Sequence, residues 1–175
     1  MTEEESQKLL KLYQKNKEAE ALTINAIKEF ERNLFTAKSI DFSKENNCSS
    51  TYKPTLPYLI ISKLIDMKEK LIKNIYFNAL LLDNLEKIIY EIGTENINCG
   101  ILLSNKYILG LSNLQLEMKF KYSHAWITKS VKKANEIFYN KVKDIDYKSF
   151  LDKIRDDSNI TREELDDFYK KYLME

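Results

Sequence analysis

The positions of apolar residues along the chain predict two long helices separated by a loop. Apolar residues recur at 3-4 spacing through the first part of the chain, and Thr2 with Glu5 matches a capping box at the start. A second stripe follows after a stretch without any period. We therefore expect helices over 1–38 and 57–92, folded back on each other antiparallel across a loop over 39–54.

The second predicted helix carries an apolar stripe wider than one partner helix requires. Eight of the ten seam positions between Ile61 and Ile92 are apolar, which is typical of a coiled coil, and further apolar residues widen the stripe. The two polar seam positions are Lys68 and Asn78, and polar residues there fix register and oligomeric state while lowering stability. We expect this helix to contact the first helix and a further partner, which is either another protein or a second copy of the chain.

Residues 114–122 change from the period of a helix to the period of a strand. Their apolar residues occupy every second position, as on a strand with one buried face. Two shorter apolar runs come before them, separated by the pair Asn105-Lys106. This pattern predicts a three-stranded antiparallel β-meander over 97–126, and with it an α+β fold class that is mostly helical.

A helix is the alternative interpretation of the same segment. Leu114, Met118 and Tyr122 are spaced by four residues, as on one face of a helix. A helix would place Leu116 and Phe120 on the side opposite that stripe, so we prefer the strand. The strand would bury Met118, Phe120 and Tyr122.

The remainder of the chain, 128–175, has a helical period again and predicts three shorter helices within the same single domain. The first begins near Thr128, and the second covers about 146–154. The last is capped by Thr161 with Glu164, as in a capping box. Its apolar face is a candidate partner-binding surface made of Leu165, Phe168, Tyr169, Tyr172 and Leu173.

Composition and charge exclude several classes of protein. The formal net charge of +1 excludes binding of nucleic acid or membrane through bulk charge alone. With only three glycines, the chain has little material for Gly-rich ligand loops. It carries no apolar leader and no apolar run long enough to cross a bilayer. We expect a cytoplasmic protein without membrane contact.

The sequence offers no recognisable catalytic, cofactor-binding or metal-binding set. His124 is the single histidine, and it continues the alternation of the predicted strand, where a structural role is the simpler explanation. Walker A, Gly-x-Gly-x-x-Gly and His-Glu-x-x-His patterns are all absent. We therefore expect a non-enzymatic protein without a cofactor or metal.

A basic segment over 119–143 is the strongest feature of the charge pattern. It contains seven lysines and one acid, with aromatic residues among them. The candidate nucleic-acid contacts are Lys119, Lys121, Lys129, Lys132 and Lys133. The other interpretation is a solvated lysine face with the aromatics in the core and the acidic tail folded back on it.

Two functions follow from these observations. The first is an adaptor that binds another protein, or a second copy of itself, through the helical hairpin and the terminal amphipathic helix. The second is an accessory protein that binds nucleic acid through 119–143.

Overall fold

The fold consists of helices only, throughout the part of the chain that can be described. A computed structural model describes the backbone of residues 1–36 and 56–159, and the side chains of 1–32, 59 and 61–159. In chain order the elements are α1 (Glu3–Thr36), α2 (Leu56–Glu95), α3 (Ile97–Leu103), a π-helix (Ser104–Ile108), α4 (Asn113–Phe120), α5 (His124–Val142) and α6 (Tyr147–Asp157).

The β-meander predicted over 97–126 is wrong, and so is the α+β fold class. Neither 1–36 nor 56–159 contains a strand, and α3, the π-helix and α4 occupy the meander's place. A capping box starts α4. The backbone N–H of Gln115 donates to Ser112 Oγ (3.3 Å), and the backbone N–H of Ser112 donates to the side-chain oxygen Oε1 of Gln115 (2.8 Å). This local signal and the four-residue spacing outweigh the alternation in the sequence.

The long helices α1 and α2 form an antiparallel hairpin, at the places where the sequence predicts helices. Both polar seam residues of α2 contact polar side chains of α1. The Lys68 ammonium lies 2.7 Å from a Glu31 carboxylate oxygen. The buried Asn78 amide accepts a hydrogen bond from Asn16 (2.8 Å) and donates one to Glu20. These contacts fix the register of the two helices within one chain.

The two halves of α2 have different surroundings. The C-terminal half packs against α1, α3, α5 and α6 and buries four apolar side chains, Leu81, Leu85, Ile89 and Ile92. The main core there contains Leu9, Leu10, Leu81, Leu85, Ile89, Ile92, Cys99, Leu103, Tyr107, Ala134, Phe138, Val142 and Ile154. The N-terminal half leaves Leu59, Ile61 and Ile65 about half exposed. The predicted loop over 39–54 lies outside the described residues.

A pair of glycines lets the backbones of α2 and α3 touch. A Cβ atom added to Gly100 would lie 2.6 Å from the Gly93 Cα atom and 3.3 Å from the Ile89 carbonyl oxygen. Such a distance leaves no space for a methyl group, so α3 packs directly on α2. The Lys141 ammonium of α5 joins the same region by ion pairs to Glu95 (3.1 Å) and Glu91 (3.3 Å), which raise the pKa of Lys141.

The π-helix is held from the side by α1. The Gln14 side-chain amide donates hydrogen bonds to the carbonyl oxygens of Tyr107 (3.1 Å) and Ile108 (2.6 Å). Gly110 then turns the chain with a φ of 73°, a value that favours glycine. Burial raises the pKa of the Tyr107 phenol, and partial burial with repulsion from Lys11 lowers the pKa of the Lys106 ammonium.

Candidate partner-binding surface

Four large apolar side chains lie exposed where α4 meets α5. Leu114 is 64% exposed, Met118 67%, Tyr122 51% and Trp126 39%. We call these four residues the α4–α5 surface. Leu114 and Met118 are one helical turn apart on α4, and Tyr122 follows directly after the helix has ended.

The opposite face of α4 explains why this surface points outward. Leu116 is fully buried and packs in a small cluster with Leu102, Ile127 and Val131. Because Leu114 and Met118 lie on the other side of the same helix, the contact that holds α4 in place also presents them to solvent.

The junction between α4 and α5 is fixed by local contacts. Lys121 ends α4 with a φ of 57°, in the left-handed region. The Ser123 hydroxyl caps α5 by accepting a hydrogen bond from the Trp126 N–H (3.4 Å). His124 Nδ1 lies 2.6 Å from a Glu117 carboxylate oxygen, which joins the two helices.

Tyr122 and Trp126 stack on each other at this junction. Their ring centroids are 4.0 Å apart, with 29° between the ring planes. Stacking orders both side chains while leaving a large part of each exposed. An ordered, exposed aromatic pair is typical of binding surfaces because little side-chain entropy remains to be lost on binding.

The five lysines predicted to contact nucleic acid belong to the same two helices as this surface or to the junction between them. Lys129, Lys132 and Lys133 lie on the exposed face of α5, and Lys129 and Lys133 follow Trp126 by three and seven residues, on its side of the helix. Lys121 is exposed at the end of α4. The Lys119 ammonium donates a hydrogen bond to the Asn105 side-chain oxygen (2.5 Å). None of the five forms an ion pair with another described residue.

The predicted burial of this segment is partly wrong. Met118 and Tyr122 are exposed, whereas the strand would have buried them, and only Phe120 is partly buried, against the Leu116 cluster. Lys119 and Lys121 are exposed, but in the last turn and at the end of a helix. The aromatic residues therefore do not all belong to the core, since Tyr122 and Trp126 lie at the surface.

The other candidate surface of the sequence cannot be placed. Leu165, Phe168, Tyr169, Tyr172 and Leu173 all lie outside the described residues. None of the four residues of the α4–α5 surface was among the site residues predicted from the sequence. The signal that reveals Leu114 is its four-residue spacing with Met118, combined with the capping box of Ser112 and Gln115.

A cavity of about 480 Å³ lies between α1, α2 and α6. Its lining includes the cations Lys73 and Arg155 together with Phe77 and the buried Asn78. Two of these polar side chains have partners within the chain: Asn78 bonds Asn16 and Glu20, and Arg155 lies 3.2 Å from Asp152. These contacts use part of the polar binding capacity of the cavity.

Within 1–36 and 56–159, no group of three or more His, Cys, Asp or Glu side chains is arranged to hold a metal ion. None of the helices in those ranges combines the length and the apolar character needed to span a bilayer. Protein-family models, curated proteins and solved structures give no match to this chain.

Proposed function

We propose that this protein is a non-enzymatic adaptor that binds another protein through the α4–α5 surface. The observation that carries the proposal is the exposure of Leu114 and Met118 on α4 while Leu116 on the opposite side of the helix is fully buried. With the exposed Tyr122 and Trp126, the surface includes residue types that are common in binding sites, since hot spots are enriched in aromatic residues and methionine occurs often at adaptable interfaces.

The hairpin supplies supporting evidence for an interaction protein. Leu59, Ile61 and Ile65 are about half exposed on the N-terminal half of α2. A second copy of this chain or a different protein would gain apolar burial there. We give the α4–α5 surface priority because the same two helices carry lysines without ion pairs to described residues.

The proposal is tested by capture of partners from a lysate of cells that express the protein. The double variant Leu114→Ser/Met118→Ser should lose most bound protein, because both side chains are more than half exposed and contribute binding area rather than core. The matched control is Leu22→Ser/Ile97→Ser, which also replaces two exposed aliphatic side chains, one on α1 and one on α3.

Circular dichroism should give the same melting temperature for both double variants as for the wild type. All captures are made after nuclease treatment, so that bridging nucleic acid is removed. If the two variants retain the same partners at the same level as the wild type, the α4–α5 surface is not the binding site and the proposal is wrong.

A second function, binding of single-stranded nucleic acid, is favoured by the Tyr122–Trp126 stack beside lysines. Aromatic rings stack on bases, and lysines contact phosphates without reading sequence. With about four to six phosphates contacted, log K should fall with log salt at a slope of roughly −3 to −5. Replacement of Lys129, Lys132 and Lys133 by glutamate should abolish a gel shift at low salt without lowering the melting temperature, since all three are exposed.

A further inference from the structure

We infer that the partner of the α4–α5 surface is an acidic amphipathic helix of another protein. This inference rests on the proposed function and adds the chemistry of the partner. Three properties of the surface support it: the local charge, the spacing of the exposed side chains, and the kinds of side chain that are absent.

The charge around the surface is strongly positive although the whole chain is nearly neutral. Between Lys106 and Glu136 the sequence has six lysines and two glutamates, against a formal net charge of +1 for all 175 residues. One of these glutamates, Glu117, is already in contact with His124 at 2.6 Å. An acidic partner would therefore meet a segment rich in lysine, and such opposite charge accelerates association and selects against basic partners.

The spacing of the exposed residues matches a helix. Leu114 and Met118 are one helical turn apart, about 6 Å along α4, and form a short ridge. Such a ridge fits the groove between side chains of a second helix. Lys129 and Lys133 are also one turn apart, beside Trp126 on α5. Carboxylates one turn apart on the partner helix would meet these two ammonium groups.

The surface is less suited to nucleic acid or to a lipid bilayer. Leu114 and Met118 have no aromatic face for a base, and Tyr122 and Trp126 each use one ring face on the other. The segment 106–136 contains no arginine, the residue that forms bidentate contacts with phosphate. A bilayer interface requires a long apolar helix face, whereas α4 has eight residues and two exposed aliphatic side chains.

The experiment uses the full chain and three synthetic peptides of about 18 residues, labelled for fluorescence anisotropy. The first has leucine and tryptophan at i, i+3, i+4 and i+7 with glutamate on the opposite face. The second has the same composition with the apolar positions scrambled, and the third replaces every glutamate by lysine. We expect the first peptide to bind at least tenfold more tightly than either of the others. Its affinity should fall several-fold between 50 and 200 mM salt because the lysine contacts are exposed.

Variants of the protein separate the two contributions to binding. Lys129→Glu/Lys133→Glu should weaken binding of the acidic peptide at least tenfold. The control Lys63→Glu/Lys70→Glu makes the same charge change at two exposed lysines of α2 and should leave the affinity within twofold. Leu114→Ser/Met118→Ser should also weaken binding at least tenfold.

Each result decides a different point. Equal binding of the lysine peptide, or no effect of Lys129→Glu/Lys133→Glu, overturns the acidic partner. Tighter binding of oligo(dT) or of vesicles of phosphatidylcholine and phosphatidylserine overturns it in favour of nucleic acid or membrane. If no peptide binds but partner capture still depends on Leu114 and Met118, the inference fails and the proposed function stands. If no peptide binds and partner capture does not depend on Leu114 and Met118, both the inference and the proposed function are rejected.

Discussion

The short helices α3 and α4 have almost the same length, seven and eight residues, but contribute differently to the core. α3 touches α2 with its backbone and buries four of its seven residues, Cys99, Gly100, Leu102 and Leu103, while Ile97 and Ile101 stay exposed. α4 buries Leu116 alone and leaves Leu114 and Met118 exposed. Most of one helix is therefore buried, and most of the other lies at the surface.

This difference shows that apolar content does not by itself decide where a short helix goes. In α3 the small residue Gly100 allows close approach to α2, and Cys99, Leu102 and Leu103 beside it are buried. In α4 the apolar residues are divided between two faces, so no orientation of the helix buries all of them. A helix of this second kind carries apolar surface that is available for a partner.

The largest expected effect contrasts the two faces of α4. Leu116→Ala should lower the free energy of unfolding by about 2–4 kcal/mol, because it leaves a cavity beside Ile127 and Val131. Met118→Ala should change it by less than about 0.5 kcal/mol, since the Met118 side chain is mostly exposed. Urea denaturation of the two variants measures both values, and equal effects would show that α4 does not have one buried and one exposed face.

The next effect concerns the contact of α3 with α2. Gly100→Ala should destabilise the protein by about 1–3 kcal/mol, because the new Cβ atom would collide with the backbone of Gly93 and one of the helices must move. Gly93→Ala is the control: its Cβ atom would lie 3.8 Å from the Gly100 Cα atom, an ordinary contact, and alanine favours the helix by up to about 1 kcal/mol.

Thermal and urea denaturation of the two variants should therefore show a lower stability for Gly100→Ala. The stability of Gly93→Ala should be equal to that of the wild type or higher. A Gly100→Ala protein as stable as the wild type would mean that α3 is not pressed against α2 in solution.

The smallest effect concerns the end of α4. Lys121 has a φ of 57°, a conformation that costs energy for a residue with a side chain and costs glycine almost nothing. Lys121→Gly should stabilise the protein by about 0.5–1 kcal/mol. Lys129→Gly also removes an exposed lysine, but within α5, and should destabilise it by about 1 kcal/mol. Destabilisation by both variants in chemical denaturation would contradict the left-handed end of α4.

The long helices could be predicted because their apolar periods continue over many turns, and the hairpin follows from their order. The segment 97–126 could not, because its short apolar runs fit a strand and a helix equally well. Ser112 and Gln115 form a capping box, and this pair of residues is the local signal that favours a helix over a strand. Burial of Gly100 depends on a contact with Gly93 on another helix, and no local pattern reports such a contact.

The sequence predicts which lysines of the candidate site are exposed, but it does not predict which apolar residues are exposed. Lys129, Lys132 and Lys133 are exposed because the apolar stripe of α5 faces the core, and that stripe is visible in the sequence. Exposure of Leu114 and Met118 depends on a choice between two apolar faces of α4. That choice is made by the position of Ile127 and Val131 on α5, which the sequence of α4 does not contain.

The contact of Gln14 with the π-helix has a consequence for how the chain is made. The Gln14 side-chain amide donates hydrogen bonds to carbonyl oxygens of residues that lie 93 and 94 positions later in the chain. Leu9 and Leu10 pack in the same core as Phe138 and Val142. While the chain is still on the ribosome, the first half of α1 therefore emerges long before its packing surface has been synthesised. An isolated helix with such a face is marginally stable in water. Its apolar face therefore stays exposed to solvent until the later helices have been synthesised.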